Sequence, residues 1–218
     1  MTRTPQEKFV LLFEAAKRAM LASEELLGRL SAELALLEGD ITRSVDIESR
    51  AISPLLSAVT FIDFAHRFGS LIDALPLLNK RESQMRQLKS ALVNVENVRN
   101  HLQHMRGDLS SNEEIDYPIL GSLMWSNGDW AYTIFLSQPT QTNTYSMVYD
   151  LANQRWVARY QYRVKNTIVD LENVLATMKE VYEWVVSKAQ FSDPDFALPR
   201  WGKTQAFCTR FQVGQRLS

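Results

Sequence analysis

Apolar residues recur at intervals of three and four through the first hundred or so positions, and that spacing predicts long amphipathic helices. The first helix opens on Thr4-Pro5-Gln6-Glu7: a threonine cap, a proline at the first helical position and a glutamate three residues after the cap. Its stripe is Phe9, Leu12, Phe13, Ala16 and Met20, continued by Leu26, Leu27, Leu30, Leu34 and Leu37, with a kink at Gly28 and an end at Gly39-Asp40. A second helix covers residues 44–75, with an irregularity at Pro54. It buries Leu55, Ala58, Phe61, Ile62, Ala65, Phe68, Ile72 and Leu75, and its other face shows Asp63, His66, Arg67, Ser70 and Asp73. Pro76 and Asn79 mark a turn. A third helix over residues 80–106 turns Met85, Leu88, Leu92, Val95, Val98 and Leu102 inward, and Gly107 stops it.

The period changes after Gly107. Pro118, Gly121, Asn127-Gly128 and Pro139 punctuate aromatic and β-branched runs, and Asn127-Gly128 is a two-residue hairpin signal. Further strands are predicted at residues 145–149 and 156–164. A fourth helix over residues 166–188 carries Ile168, Leu171, Val174, Leu175, Met178, Tyr182 and Val185 on one face. The expected fold is mainly α: a bundle of about four long helices with a small antiparallel β-sheet inserted before the last. It forms one domain over residues 1–190, with the β insertion at 118–164 and an extended tail at 191–218.

Composition narrows the function. A chain of 218 residues with 45% apolar content suits one domain with a real core. With 24 basic against 25 acidic side chains it lacks the overall basic field of a coat-like nucleic-acid binder, and no DNA partner is expected. A local basic cleft is still compatible with that balance. Cys208 is the single cysteine, so neither an intramolecular disulfide nor a CxxC pair exists. The first residues lack the apolar core of a signal peptide, and no run reaches the roughly 20 apolar residues of a membrane span. A cytoplasmic protein without membrane attachment is expected. In the tail, Phe191, Phe196, Trp201, Phe207 and Phe211 lie among Arg200, Lys203, Arg210 and Arg216. They form either a cover for apolar surface of this chain or a partner subunit, or a strip that binds nucleic acid.

Candidate chemistry concentrates in NVRNHLQHMRGDL, residues 97–109, which holds two of the three histidines. On a helical wheel with Val95 as reference, Arg99 falls at about 40°, inside the apolar arc. Asn97, Asn100 and His104 fall at roughly 140–200°, and His101 at about 240°. A buried-side arginine is costly unless a strong acceptor meets it. Arg99 therefore pairs internally, with Asp63 or Asp73 as candidates, or the helix faces a second surface such as a cleft or a partner subunit.

Arg99-Asn100-His101-Leu102-Gln103-His104 resembles the signature of the HEPN superfamily: an arginine, a polar residue beside it, and a histidine after four intervening positions, late in a long helix of a bundle. The resemblance implies an RNA-associated protein of the kind found in toxin–antitoxin and phage-defence systems. By it Arg99 and His104 are a catalytic pair and Asn100 the accompanying polar residue, in a metal-independent endoribonuclease that homodimerises so that two motifs face one cleft. A histidine of near-neutral pKa moves the proton of a 2′-hydroxyl, and an arginine fork stabilises phosphate charge. The alternative within the same resemblance is a non-catalytic module that binds a partner protein or a nucleotide, with Arg99 structural. No cofactor enters either reading.

A metal site is the competing chemistry. His101-x-x-His104 and Asp63-x-x-His66 share one spacing on neighbouring helices, and together they supply nitrogen and oxygen ligands for a metal-binding helical-bundle hydrolase. Against it, His101, Asp63 and His66 read as polar partners between packed helices, a reading preferred to function for Asp63 and His66, and they support the motif rather than act in it. Walker, GxGxxG, Gly-x-Ser-x-Gly and HExxH patterns are absent.

Overall fold

The stripes become helices in the computed structural model, which describes residues 4–42, 47–76, 78–110, 118, 120–135, 148–150 and 152–192. Helix α1 spans Pro5–Thr42, α2 Glu48–Asp73, α3 Ser83–Ser110 and α4 Leu171–Ser192. The threonine cap forms as read: the Glu7 N–H donates to Thr4 Oγ1 (3.2 Å) and the Thr4 N–H to Glu7 Oε2 (2.9 Å). Side-chain ties fix the directions of the helices. Asp40 of α1 pairs with Arg50 of α2, and Glu33 accepts from Ser53 (2.7 Å) and Ser57 (3.0 Å), so α1 and α2 run antiparallel. Lys188–Glu82 (3.2 Å) and Gln87–Glu180 (2.9 Å) set α3 against α4. Lys179–Glu24 and the Phe13–Tyr182 stack (4.8 Å) set α4 against α1. The result is an up-down-up-down bundle.

All eight residues assigned to the apolar arc of α2 are buried. This helix, over Ser49–Asp73, is the one among the described residues long and apolar enough to cross a membrane, and 50% of its most apolar window is buried inside the bundle. Pro54 lies within α2 without ending it.

Among the described residues six short strands lie between α3 and α4: β1 Ser122–Ser126, β2 Ala131–Phe135, β3 Tyr149–Asp150, β4 Arg155–Trp156, β5 Tyr160–Val164 and β6 Thr167–Asp170. Four form an antiparallel sheet in the order β2-β1-β5-β6, and β3 pairs with β4 as a separate ribbon. Register places Leu123, Trp125, Ile134, Tyr160, Tyr162 and Val169 on one face, and all six join the helical core. Trp125 Nε1 donates to Glu38 (2.8 Å) and the Tyr160 hydroxyl to Ser31 (2.7 Å), clamping the sheet onto α1. Gly121 opens β1 at φ +72°, where a Cβ would lie 2.5 Å from the Arg163 carbonyl oxygen. Only glycine fits there.

Several boundaries differ from the sequence reading, each for a local reason. The first helix passes Gly39-Asp40, because the Asp40 carboxylate is held by Arg50 instead of turning the chain. The third helix continues through Gly107 to Ser110. Residues 167–170, read as the start of the last helix, are strand β6. Thr167, Ile168 and Val169 are all β-branched, Lys165 takes φ 52° in the turn before them, and Asp170 caps α4 through the Asn173 N–H (3.0 Å). The single strand expected at 156–164 is two, β4 and β5. The hairpin turn is centred on Gly128-Asp129, because Asn127 and Trp130 still face each other through the Asn127 N–H and the Trp130 carbonyl. Of the strand expected at 145–149, residues 145–147 lie outside the described residues, as do residues 193–218 of the tail with Cys208, and 44–46 at the expected start of the second helix.

Candidate functional site on the second and third helices

Val95 and Val98 are fully buried, which rolls α3 so that Arg99, next on the wheel, lies along its border with α2. There Arg99 Nε meets Asp63 Oδ1 at 3.3 Å. Asp63 Oδ2 is taken by Arg67 Nε at 2.7 Å, one turn along α2. One carboxylate thus joins two guanidiniums, and the Arg99 side chain is 26% exposed against 62% for Arg67. Burial alone would raise the Asp63 carboxyl. Hydrogen bonds from Arg67 and Arg99, reinforced by their charges, outweigh burial and hold its pKa below the ordinary value. Asp73, the other candidate partner, is instead engaged by Lys89 (3.3 Å) and Lys80 (3.4 Å).

Beside this pair lies a cleft of about 370 Å³ between the two helices. His66, Ser70 and Asp73 line it from α2, and Lys89, Leu92 and Glu96 from α3. The helices approach closely at Gly69, where an added Cβ would run into Leu92. Burial, and then the Arg99 charge, pull the His66 imidazole below its ordinary pKa, against weaker opposition from Glu96 and Asp63. His66 is therefore a neutral donor and acceptor at pH 7.

The structure splits the sequence-predicted site. Asp63, His66 and Arg99 come together at the α2–α3 border. Asn97, Asn100 and His104 stand exposed on the solvent side of α3, and His101 is half-buried. Arg99 and His104 consequently point to different sides of one helix. The convergence that a metal site would need does not form: among the described residues no group of three or more His, Cys, Asp or Glu is placed to hold an ion. Asp63 is committed to arginines, and His104 faces away from it. Lys89 and Glu96 escaped the sequence reading. Their signal was the wheel, which puts them at about 120° and 100°, beside Asn100.

No protein-family model, no curated protein and no solved structure matches the chain.

Proposed function

We propose that the chain is a non-catalytic, HEPN-like helical module whose α2–α3 face takes a partner protein. The observation that carries this reading is the Arg99–Asp63 pair. An arginine bound to a carboxylate that also holds Arg67 braces two helices, and recruiting it to a phosphate would leave Asp63 short of a partner. The neighbouring cleft, mixed in charge and open to solvent, suits hydrogen bonding to a protein surface. A cytoplasmic place in a toxin–antitoxin or defence system belongs to this proposal. The single cysteine supports a reducing compartment.

The rival reading is a metal-independent endoribonuclease in which Arg99, His104 and Asn100 act on RNA across a dimer cleft. The exposure of His104 and Asn100 favours it. Incubating the purified chain with mixed RNA in EDTA separates the two. The expected result is no cleavage by wild type, a loss of about 1 kcal/mol of stability in Arg99→Ala, and an unchanged His104→Ala. Chelator-resistant cleavage that vanishes in both variants, each still folded, would replace this proposal with the ribonuclease.

A further inference from the structure

The hairpin end of the sheet presents aromatic rings where a soluble surface ordinarily hides them. Trp130, in the β1–β2 turn, is 69% exposed, and Trp156, at the end of β4, is 39% exposed. Beside the turn opens a pocket of about 460 Å³, walled by Asn127 and Gly128 on one side and Trp156, Val157 and Arg159 on the other, with Trp130 in the same turn but outside the lining. The walls are tied together by the Ser126 N–H, which donates to the Arg159 carbonyl (3.0 Å), and the second wall is anchored behind by the Val157 N–H, which donates to the Val148 carbonyl (2.9 Å).

The turn that carries Trp130 and the ring of Trp156 are held in place. Asn127 Oδ1 accepts from the N–H groups of Asp129 (3.1 Å) and Trp130 (2.9 Å), while its Nδ2 donates to Glu38 (3.0 Å) and to the Tyr132 hydroxyl (3.2 Å). Glu38 also anchors Trp125, so the turn is bolted to α1. Tyr149 braces Trp156 edge-to-face at 4.8 Å and 66°. Arg159 lies over the Tyr160 ring, 5.0 Å from its centroid. A platform ordered in advance loses little entropy when a ligand arrives.

Residues 155–159 bring Arg155 and Arg159 and no acidic side chain to the tip, whereas Arg163 and Lys165 lie toward the other end of the sheet. The opposing carboxylates come from other segments: Glu38 is taken by Trp125 and Asn127, Asp150 sits 3.9 Å from Arg155 and is already hydrogen-bonded by Ala152 and Asn153, Glu172 feels the Arg159 charge, and Asp129 stands exposed in the turn. Rings alternating with guanidiniums match a strand whose bases alternate with phosphates.

We propose that this tip binds single-stranded nucleic acid, stacking bases on Trp130 and Trp156 and meeting the backbone phosphates with Arg155 and Arg159. The site is remote from the Arg99 motif and does not depend on how the α2–α3 face is used.

The test is a titration of labelled 12-nucleotide oligouridylate and oligodeoxythymidylate with the full chain, followed by anisotropy at several salt concentrations. Binding should weaken with salt, and Trp130→Ala and Trp156→Ala should each raise Kd roughly tenfold while leaving the circular dichroism unchanged. Arg159→Ala should weaken binding and reduce the salt slope by about 0.7. Asp129→Asn should tighten binding, and Arg99→Ala and His104→Ala should leave Kd alone. A preference for the uridylate identifies RNA as the ligand, and equal affinities identify a site indifferent to the sugar; both support the site. Failure of wild type to bind either oligomer at low salt overturns the proposal and leaves the tip to a protein ligand. Binding that neither tryptophan variant alters overturns it equally.

Discussion

The α2–α3 border and the tip of the sheet both bring arginines and carboxylates into one small region, and they dispose of them in opposite ways. At the border, Asp63 sits between Arg67 and Arg99, and Asp73 between Lys80 and Lys89. At the tip, Arg159 rests on a tyrosine ring and two indoles face solvent. Paired charge holds helices in register, whereas open rings beside loosely paired charge are available to a ligand. The most motif-like residue in the chain, Arg99, thus belongs to the closed region, and the most accessible recognition chemistry lies in a segment that carries no motif.

The largest expected effect tests whether the sheet that carries the tip is rigid. Gly121→Ala forces a Cβ against the Arg163 carbonyl at positive φ, and should cost about 3 kcal/mol in urea or guanidinium unfolding. A change below 1 kcal/mol, on the order of an ordinary surface substitution, would mean that the sheet yields where β1 begins.

The next effect asks whether the border is closed. Asp63→Ala removes the acceptor of two guanidiniums, all partly exposed, and should cost about 1–2 kcal/mol. A double-mutant cycle with Arg99→Ala should return a coupling of about 0.5–1 kcal/mol. Additive losses would show that Arg99 is not held by Asp63, which breaks the contrast between the two regions and returns Arg99 to the ribonuclease reading.

The smallest effect is a pH dependence. The folded His66 has a pKa below its ordinary 6.5, so the unfolded chain takes up a proton first as pH falls. His66 therefore contributes stability that is complete above pH 6.5 and declines as the pH drops from there toward its folded value. The depressed Asp63 carboxyl acts in the same direction in a lower window, beginning at its ordinary 3.8. In denaturant midpoints measured across both windows, His66→Gln should flatten the upper slope and leave the lower one. An unchanged upper slope would mean that burial and Arg99 do not act on His66.

Much of this architecture was legible because its causes are local. The apolar arcs of α2 and α3 were readable residue by residue, since a helix of period 3.6 leaves its buried face in the sequence. The capping box at Thr4 was equally readable, because its partners lie three residues apart. Strand β6 was missed although Thr167-Ile168-Val169 carried the signal, because Ile168 also continues the helical stripe of α4 and the two periods agree over so short a run. The exposed tryptophans were missed for a different reason. A lone aromatic in a turn looks the same in sequence whether its ring is covered or open.

The sequence by itself determined four helices, their inward faces, the position of the sheet and the requirement that Arg99 find an acceptor. Tertiary structure decided which acceptor. Asp63 and Asp73 were equivalent by composition, and packing α2 antiparallel to α3 set Asp63 against Arg99, 36 residues away, and Asp73 against Lys89. Tertiary structure also decided that Arg99 and His104, five positions apart, would face different surroundings, and that Trp156 would wall one pocket with Asn127 and Gly128 of the distant β1–β2 turn. Periodicity, caps and turns act within a few residues and leave local marks, whereas ion pairs and pockets depend on where distant segments dock.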